Sequence, residues 1–234
     1  MRVAAVQFRN TPGDLVTSRE RLASLVSVLD ATVDLMVFPE MAVCGYDVPD
    51  KCVAQALAEP ADGETVRACA EWARRCASWA VIGFAERAGD EVYNSAAVLD
   101  PGGQLFAVYR KRLLFEADLA WASPGDRPWP LFEVRGRAVT TGICMDLNDD
   151  EFIEWIRRSR AEVVAFPTQW VQEDLPVVPY WQWRLWPGTT TLIAANGYGP
   201  QGPWNISGGS AVLDILRVHS RAPATGDRVV YAEI

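Results

Sequence analysis

Short apolar, β-prone runs alternate with helix-patterned segments along almost all of the 234 residues, and this alternation limits the fold more than any other feature. Arg2 to Phe8 (RVAAVQF) reads as a buried strand, and Asp34 to Phe38 (DLMVF) as a second strand that Pro39 halts. Between them, Leu15 to Thr32 carries Leu22, Leu25, Val26 and Leu29 on one helical face. Thr65 to Ala77 reads as a helix. Trp79 to Phe84, Val92 to Leu99 and Leu105 to Tyr109 read as strands, the last two joined by a hairpin turn at Pro101-Gly102-Gly103. Lys111 to Pro130 has no clean period and reads as a long loop, a kind that carries function in compact domains. Ala138 to Cys144 and Glu162 to Phe166 read as strands around a helix from Asp149 to Arg160. Leu192 to Ala195, Gly209 to Leu213 and Arg228 to Ala232 complete the set. About ten strands are too many for one open sheet. A single α/β domain over residues 1–234 is therefore expected, with two sheets face to face and helices outside.

Charge and residue usage narrow the chemistry. The net charge of −8 argues against nucleic acid as a partner. No apolar run approaches the ~18 residues of a membrane helix. Met1 to Asn10 lacks the apolar stretch of a secretory signal. Cys44, Cys52, Cys69, Cys76 and Cys144 form no CxxC pair, so reduced thiols in the cytoplasm are expected. Cys69 and Cys76 share a helical face with Trp72 and Ala73 and read as core. His219 is the only histidine. A zinc site built on several histidines is excluded, and a Ser-His-Asp, Cys-His or Cys-His-Glu mechanism would have to use His219. Between Val218 and Ser220 it reads as a plain strand residue. A hydrolase built on this chain is expected to use another base.

Three polar residues stand at the ends of apolar strands, where α/β sheets bind ligands. Glu40 follows DLMVFP, Lys111 follows LFAVYR and Cys144 closes AVTTGI. Singly, a glutamate there is usually a solvated loop charge and a cysteine a small core residue. Together they make a workable hydrolase. A thiol needs a base beside it, which Glu40 supplies. A cationic Lys111 suits the oxyanion that forms when sulfur attacks a carbonyl. Lys111 is one of two lysines against twenty arginines, and a compact ammonium fits a small oxyanion site.

These segments resemble the nitrilase, or carbon–nitrogen hydrolase, superfamily over nearly the whole chain. Phe38-Pro39-Glu40-Met41, with Gly45-Tyr46 after it, resembles that family's general-base motif. Tyr93-Asn94-Ser95, Pro101-Gly102-Gly103 and Tyr109-Arg110-Lys111 resemble its lysine motif and lead-in. Gly142-Ile143-Cys144-Met145-Asp146 resembles the nucleophile motif, and Phe166-Pro167-Thr168-Gln169-Trp170 the segment that closes the pocket. The resemblance implies a four-layer α-β-β-α sandwich, a Glu40-Lys111-Cys144 triad, a thioester intermediate and no cofactor or metal. It puts the Met145 backbone N–H in the oxyanion hole. A second active-site glutamate of many members falls on Asp118 here, a methylene shorter, and Glu116 is the alternative.

Two stretches depart from the common pattern. Tyr180-Trp181-Gln182-Trp183-Arg184-Leu185 replaces a family helix motif, and the chain stops at Ile234 without the tail that often embraces a partner subunit. Met145 to Asn148 and Tyr180 to Leu185 look more like the branch that deamidates N-terminal asparagine. The expected activity is hydrolysis of a small carboxamide, free or at a peptide N-terminus. A nitrile hydrolase and an inactive binding member of the fold are the alternatives. Trp170 is expected to wall the acyl pocket, and Trp183 and Trp186 to pack helix on sheet or form a subunit interface. Asp118 and Glu116 are expected to face an amino-bearing end of the substrate. A homodimer is expected by resemblance, with Trp155 on the helix after the nucleophile as its anchor.

Overall fold

The computed structural model describes residues 1–29 and 32–234. One sheet contains β1 (Arg2–Gln7), β2 (Leu35–Val37), β3 (Trp79–Ala88), β4 (Glu91–Leu99), β5 (Leu105–Arg110) and the C-terminal β14 (Arg228–Glu233), in the order β14-β1-β2-β3-β4-β5. The second contains β6 (Leu131–Val134), β7 (Arg137–Thr141), β8 (Val163–Thr168), β9 (Thr191–Asn196), β12 (Ala211–Leu213) and β13 (Val218–Arg221), in the order β13-β12-β9-β8-β7-β6. Each has three parallel strands at its centre and antiparallel strands outside. A small hairpin, β10 (Tyr198–Gln201) and β11 (Trp204–Ser207), stands apart.

Strand alternation builds the layers. In β1, Val3 and Ala5 enter the core between the sheets while Ala4 and Val6 face the helices. Leu35 and Val37 against Met36 and Phe38 repeat this at β2. The outer layer on the first sheet is α1 (Leu15–Ser27) and α3 (Glu64–Cys76), which contribute Leu22, Val26, Val66, Cys69 and Trp72 to the core. The layer on the second sheet is α4 (Asp150–Ser159) and α5 (Val177–Leu185), with Phe152, Ile156, Val178 and Trp181 buried. This is the expected α-β-β-α sandwich. The short α2 (Lys51–Leu57) lies beside β3 and β4. Among the described residues no helix is long and apolar enough to cross a membrane.

Several boundaries differ from the sequence reading for physical reasons. The predicted helix to Thr32 ends at Ser27, and residues 30 and 31 of that span lie outside the described residues. β8 runs through Pro167, where sequence ended it at Phe166; the β7 ladder has already stopped at Ala165, so the missing N–H interrupts nothing on that side. α2 offers one buried residue, Ala54, and so has no apolar stripe to read. The strand predicted to reach Cys144 ends at Thr141, and Cys144 opens a 3-10 turn instead.

Candidate active site

The C-terminal ends of β2, β5, β7 and β8 converge, because β5 follows two antiparallel steps from β3 and so runs the same way as β2. Glu40 sits in the turn after β2. That turn lies on the backbone of Gly83: Gly83 N–H donates to Pro39 O at 3.1 Å and Ala42 N–H to Gly83 O at 2.9 Å. A Cβ at Gly83 would come within 2.5 Å of Glu40 Cα, so only glycine allows the approach. Met41 takes a left-handed φ of 49° to complete the turn.

Lys111 is held from both sides, by Lys111 N–H to Asn94 O and Gly125 N–H to Lys111 O, each 2.8 Å. Its predecessor Arg110 is locked by a buried bidentate pair with Glu86, at 2.9 and 2.8 Å. The Lys111 ammonium is fully buried and donates to Glu40 Oε1 at 2.8 Å and Asp118 Oδ2 at 2.6 Å. Burial alone pulls the lysine pKa down. Asp118 and then Glu40 more than reverse this and hold it well above its ordinary value. Two of its three donors are committed, which leaves one.

Asp118, not Glu116, joins this cluster. Asp118 is fully buried and accepts from Lys111 Nζ and Phe115 N–H (3.0 Å) on Oδ2, and from Tyr46 OH (2.9 Å) and Asn94 Nδ2 (3.2 Å) on Oδ1. All its lone pairs are engaged, so it cannot serve as the partner of a substrate amine. Glu116 is exposed, because the 3-10 turn at Asp118–Ala120 carries it outward. Glu40 is also fully buried: Oε1 accepts from Asn94 Nδ2 (2.7 Å) and Lys111, and Oε2 from Gln169 N–H (2.8 Å). The sequence alone assigns Asn94 and Gln169 no role. The signal was there for Asn94, a polar residue in the apolar run of β4 whose register neighbours Val92 and Ala96 are core.

Cys144 has a φ of 44°, strained for any residue with a side chain. Asp146 holds the turn: its Oδ2 accepts from Ile143 N–H and Tyr109 OH, both at 2.8 Å. Its Oδ1 accepts the Arg112 and Leu113 N–H groups at 3.1 and 3.0 Å. The lysine strand and the cysteine turn are thereby stitched together. The first backbone bond of the turn is Asp146 N–H to Ile143 O at 2.9 Å. The Met145 N–H precedes it, as the open donors at a helix start do. Burial, then the Glu40 carboxylate, raise the Cys144 pKa, with Lys111 opposing, so the sulfur rests as a thiol.

Cys144 and Met145 line a cavity of about 110 Å³ with Tyr46, Phe115 and Trp170. Trp170 is held by Trp181, edge-on at 5.7 Å, and by Tyr180 at 5.6 Å. His219 is not part of this cavity; it bonds Asp214 at 2.8 Å on β13. Trp155 is half-buried: its ring stacks on Trp129 at 6.2 Å and Nε1 donates to Thr140 Oγ1 at 3.4 Å. Trp183 and Trp186, 62% and 63% exposed, present the apolar surface there instead.

The sequence profile of the carbon-nitrogen hydrolase family matches residues 2–234. The chain belongs to that family. A hydrolase of Pseudomonas protegens is 33% identical over 171 residues, 72% of this chain and 59% of that protein's length. The protein N-terminal amidase of Schizosaccharomyces pombe is 24% identical over 100% of this chain and 99% of its own. Among solved structures, an amidase from Nesterenkonia sp. AN1, seen with acrylamide added at its active-site cysteine, superposes with a TM-score of 0.88. It covers 100% of this chain and 93% of its own at 22% identity, which speaks for the fold.

Proposed function

We propose that this carbon–nitrogen hydrolase cleaves small carboxamides through an acyl thioester on Cys144. The supporting observation is a fully buried ammonium, Lys111, joined to two fully buried carboxylates beneath a cavity that Cys144 lines. The resting thiol needs a base at the moment of attack, and Glu40 retains an uncommitted lone pair on Oε2 for its proton. Sulfur bonds to the amide carbon as Glu40 takes that proton. The carbonyl oxygen becomes an oxyanion, which the remaining Lys111 N–H and the Met145 N–H stabilise. The protonated Glu40 passes its proton to the leaving nitrogen, the C–N bond breaks and ammonia or an amine departs. Water then gives a proton to Glu40, attacks the thioester and releases a carboxylate and the Cys144 thiol. Asp118 keeps Lys111 charged, in the place where many family members have a second glutamate. No cofactor enters this scheme.

Trp170 is the proposed wall of the acyl pocket. Among the relatives, a protein N-terminal amidase and an (R)-stereoselective amidase support an amide, free or at a protein N-terminus, while a nitrilase of Pyrococcus abyssi keeps nitrile hydrolysis as the second reading. The five free cysteines suit the reducing conditions of a cytoplasm. The exposed Trp183 and Trp186 support a homodimer through the α4 and α5 face. An ammonia-release screen over small amides, peptide amides and nitriles tests the reading. Amide turnover that vanishes in Cys144→Ala is expected. Nitriles turning over faster than every amide, or an active Ala variant, contradicts it.

A further inference from the structure

The cavity above Cys144 has a single formally charged residue on its lining, Glu173. It lies on the exposed segment between β8 and α5 and, among the described residues, makes no hydrogen bond or ion pair. Glu40, Glu86 and Asp118 are all engaged by cations. Glu173 thus offers an unused carboxylate at the mouth of the site. The rest of the lining is neutral, and Trp170 stands on it as an aromatic face that also favours a cation.

We propose that Glu173 is a specificity-determining residue that binds the ammonium of short amino-carboxamides. This rests on the amidase reading above and assigns the charge-recognition role to Glu173, since Asp118 is saturated by four donors. Three observations carry it. The buried cluster of Glu40, Asp118 and Lys111 sums to one negative charge, so an anionic acyl end meets repulsion from below and from Glu173 at the mouth. The chain's net charge of −8 steers cations toward the surface. And Glu173 lines the same small cavity, about 110 Å³, as Cys144, so a charged group on a short acyl chain meets it. The ammonium must therefore follow closely after the carboxamide carbon, as it does in β-amino amides and in the side chain of an N-terminal asparagine.

Three amides of matched length and different charge test this: β-alaninamide (cationic), butyramide (neutral) and succinamate (anionic). In the wild type kcat/KM should fall in that order. Glu173→Gln should lower the β-alaninamide-to-butyramide ratio about fivefold, the upper range for a partly exposed ion pair. Glu173→Lys should raise the succinamate-to-butyramide ratio above that of the wild type. High salt should shrink the wild-type preference and leave the Gln variant's ratio flat. Ratios that match the wild type in both variants overturn the assignment of Glu173 while the amidase reading stands. If the wild type hydrolyses none of the three but does hydrolyse other amides, this inference falls alone; if it hydrolyses no amide at all, the amidase reading falls with it.

Discussion

Asp118→Asn separates two roles for that residue. Asp118 contacts Lys111 at 2.6 Å with no exposure, and Coulomb's law at an effective dielectric of 20 gives about 6 kcal/mol at that distance. Much of this is offset, because the carboxylate no longer has to be desolvated. Breaking a buried pair costs about 3–5 kcal/mol, and the lower end applies here since Glu40 remains beside the ammonium. For a chain of this length about 3 kcal/mol lowers Tm by about 6–12 °C. The asparagine amide also turns an N–H₂ toward groups that now donate, so Lys111, Tyr46, Asn94 and the Phe115 N–H cannot all be satisfied. The oxyanion partner is displaced for every substrate alike, and kcat/KM should fall about a hundredfold for cationic and neutral amides together. Calorimetry and ammonia release on β-alaninamide and butyramide measure both effects. A loss confined to β-alaninamide, with butyramide and Tm unchanged, would refute the reasoning and return Asp118 to the substrate.

Gly83→Ala should lower kcat/KM about a hundredfold in a steady-state assay while far-UV dichroism keeps its shape, because its Cβ would stand 2.5 Å from Glu40 Cα and push the base aside. Wild-type rates would show that the turn has room. Burial lifts the Asp146 carboxyl from 3.8 to about 6, so its contribution to stability is full below its unfolded value and fades as pH rises through about 6. Denaturant titrations of wild type and Asp146→Asn should therefore differ by about 2 kcal/mol more in the variant's favour at about pH 7 than at about pH 4, and a pH-independent difference contradicts this. Light scattering should give twice 25.8 kDa for the wild type and 25.8 kDa once Trp183 and Trp186 are both changed to Asp; a wild-type monomer at micromolar concentration removes the homodimer.

The sandwich and the strand ends were legible because a short, continuous apolar run is a local signal of a strand buried on both faces. Val3 to Val6 and Leu35 to Phe38 can be read so from the sequence, and so can the polar residue that follows such a run, but not which side chain faces which layer. The motifs around Glu40, Lys111 and Cys144 named the segments that converge. What stayed hidden depends on contacts between distant segments. Asp118 and Glu116 differ by two positions in a loop without a period, and only the 3-10 turn decides which is buried. Tyr46, Asn94 and Gln169 complete the cluster across 72, 24 and 129 residues of sequence separation. Trp155 and Trp183 are both tryptophans on helices of the same layer, and the presence of Trp129 against one of them sets its exposure. Cys144 read as a strand end because AVTTGI is apolar throughout, yet its left-handed backbone belongs to a turn built by Asp146.

The central claim is that the acyl group of the substrate is carried on Cys144. Acid quenching during turnover of butyramide, followed by peptide mapping by mass spectrometry, tests it most directly. The account predicts a butyryl group on the peptide that contains Cys144, lost on treatment with hydroxylamine and never formed in Cys144→Ala. Full amide turnover with no acylated Cys144 peptide, or a butyryl group on another residue such as the exposed Cys52, would contradict it.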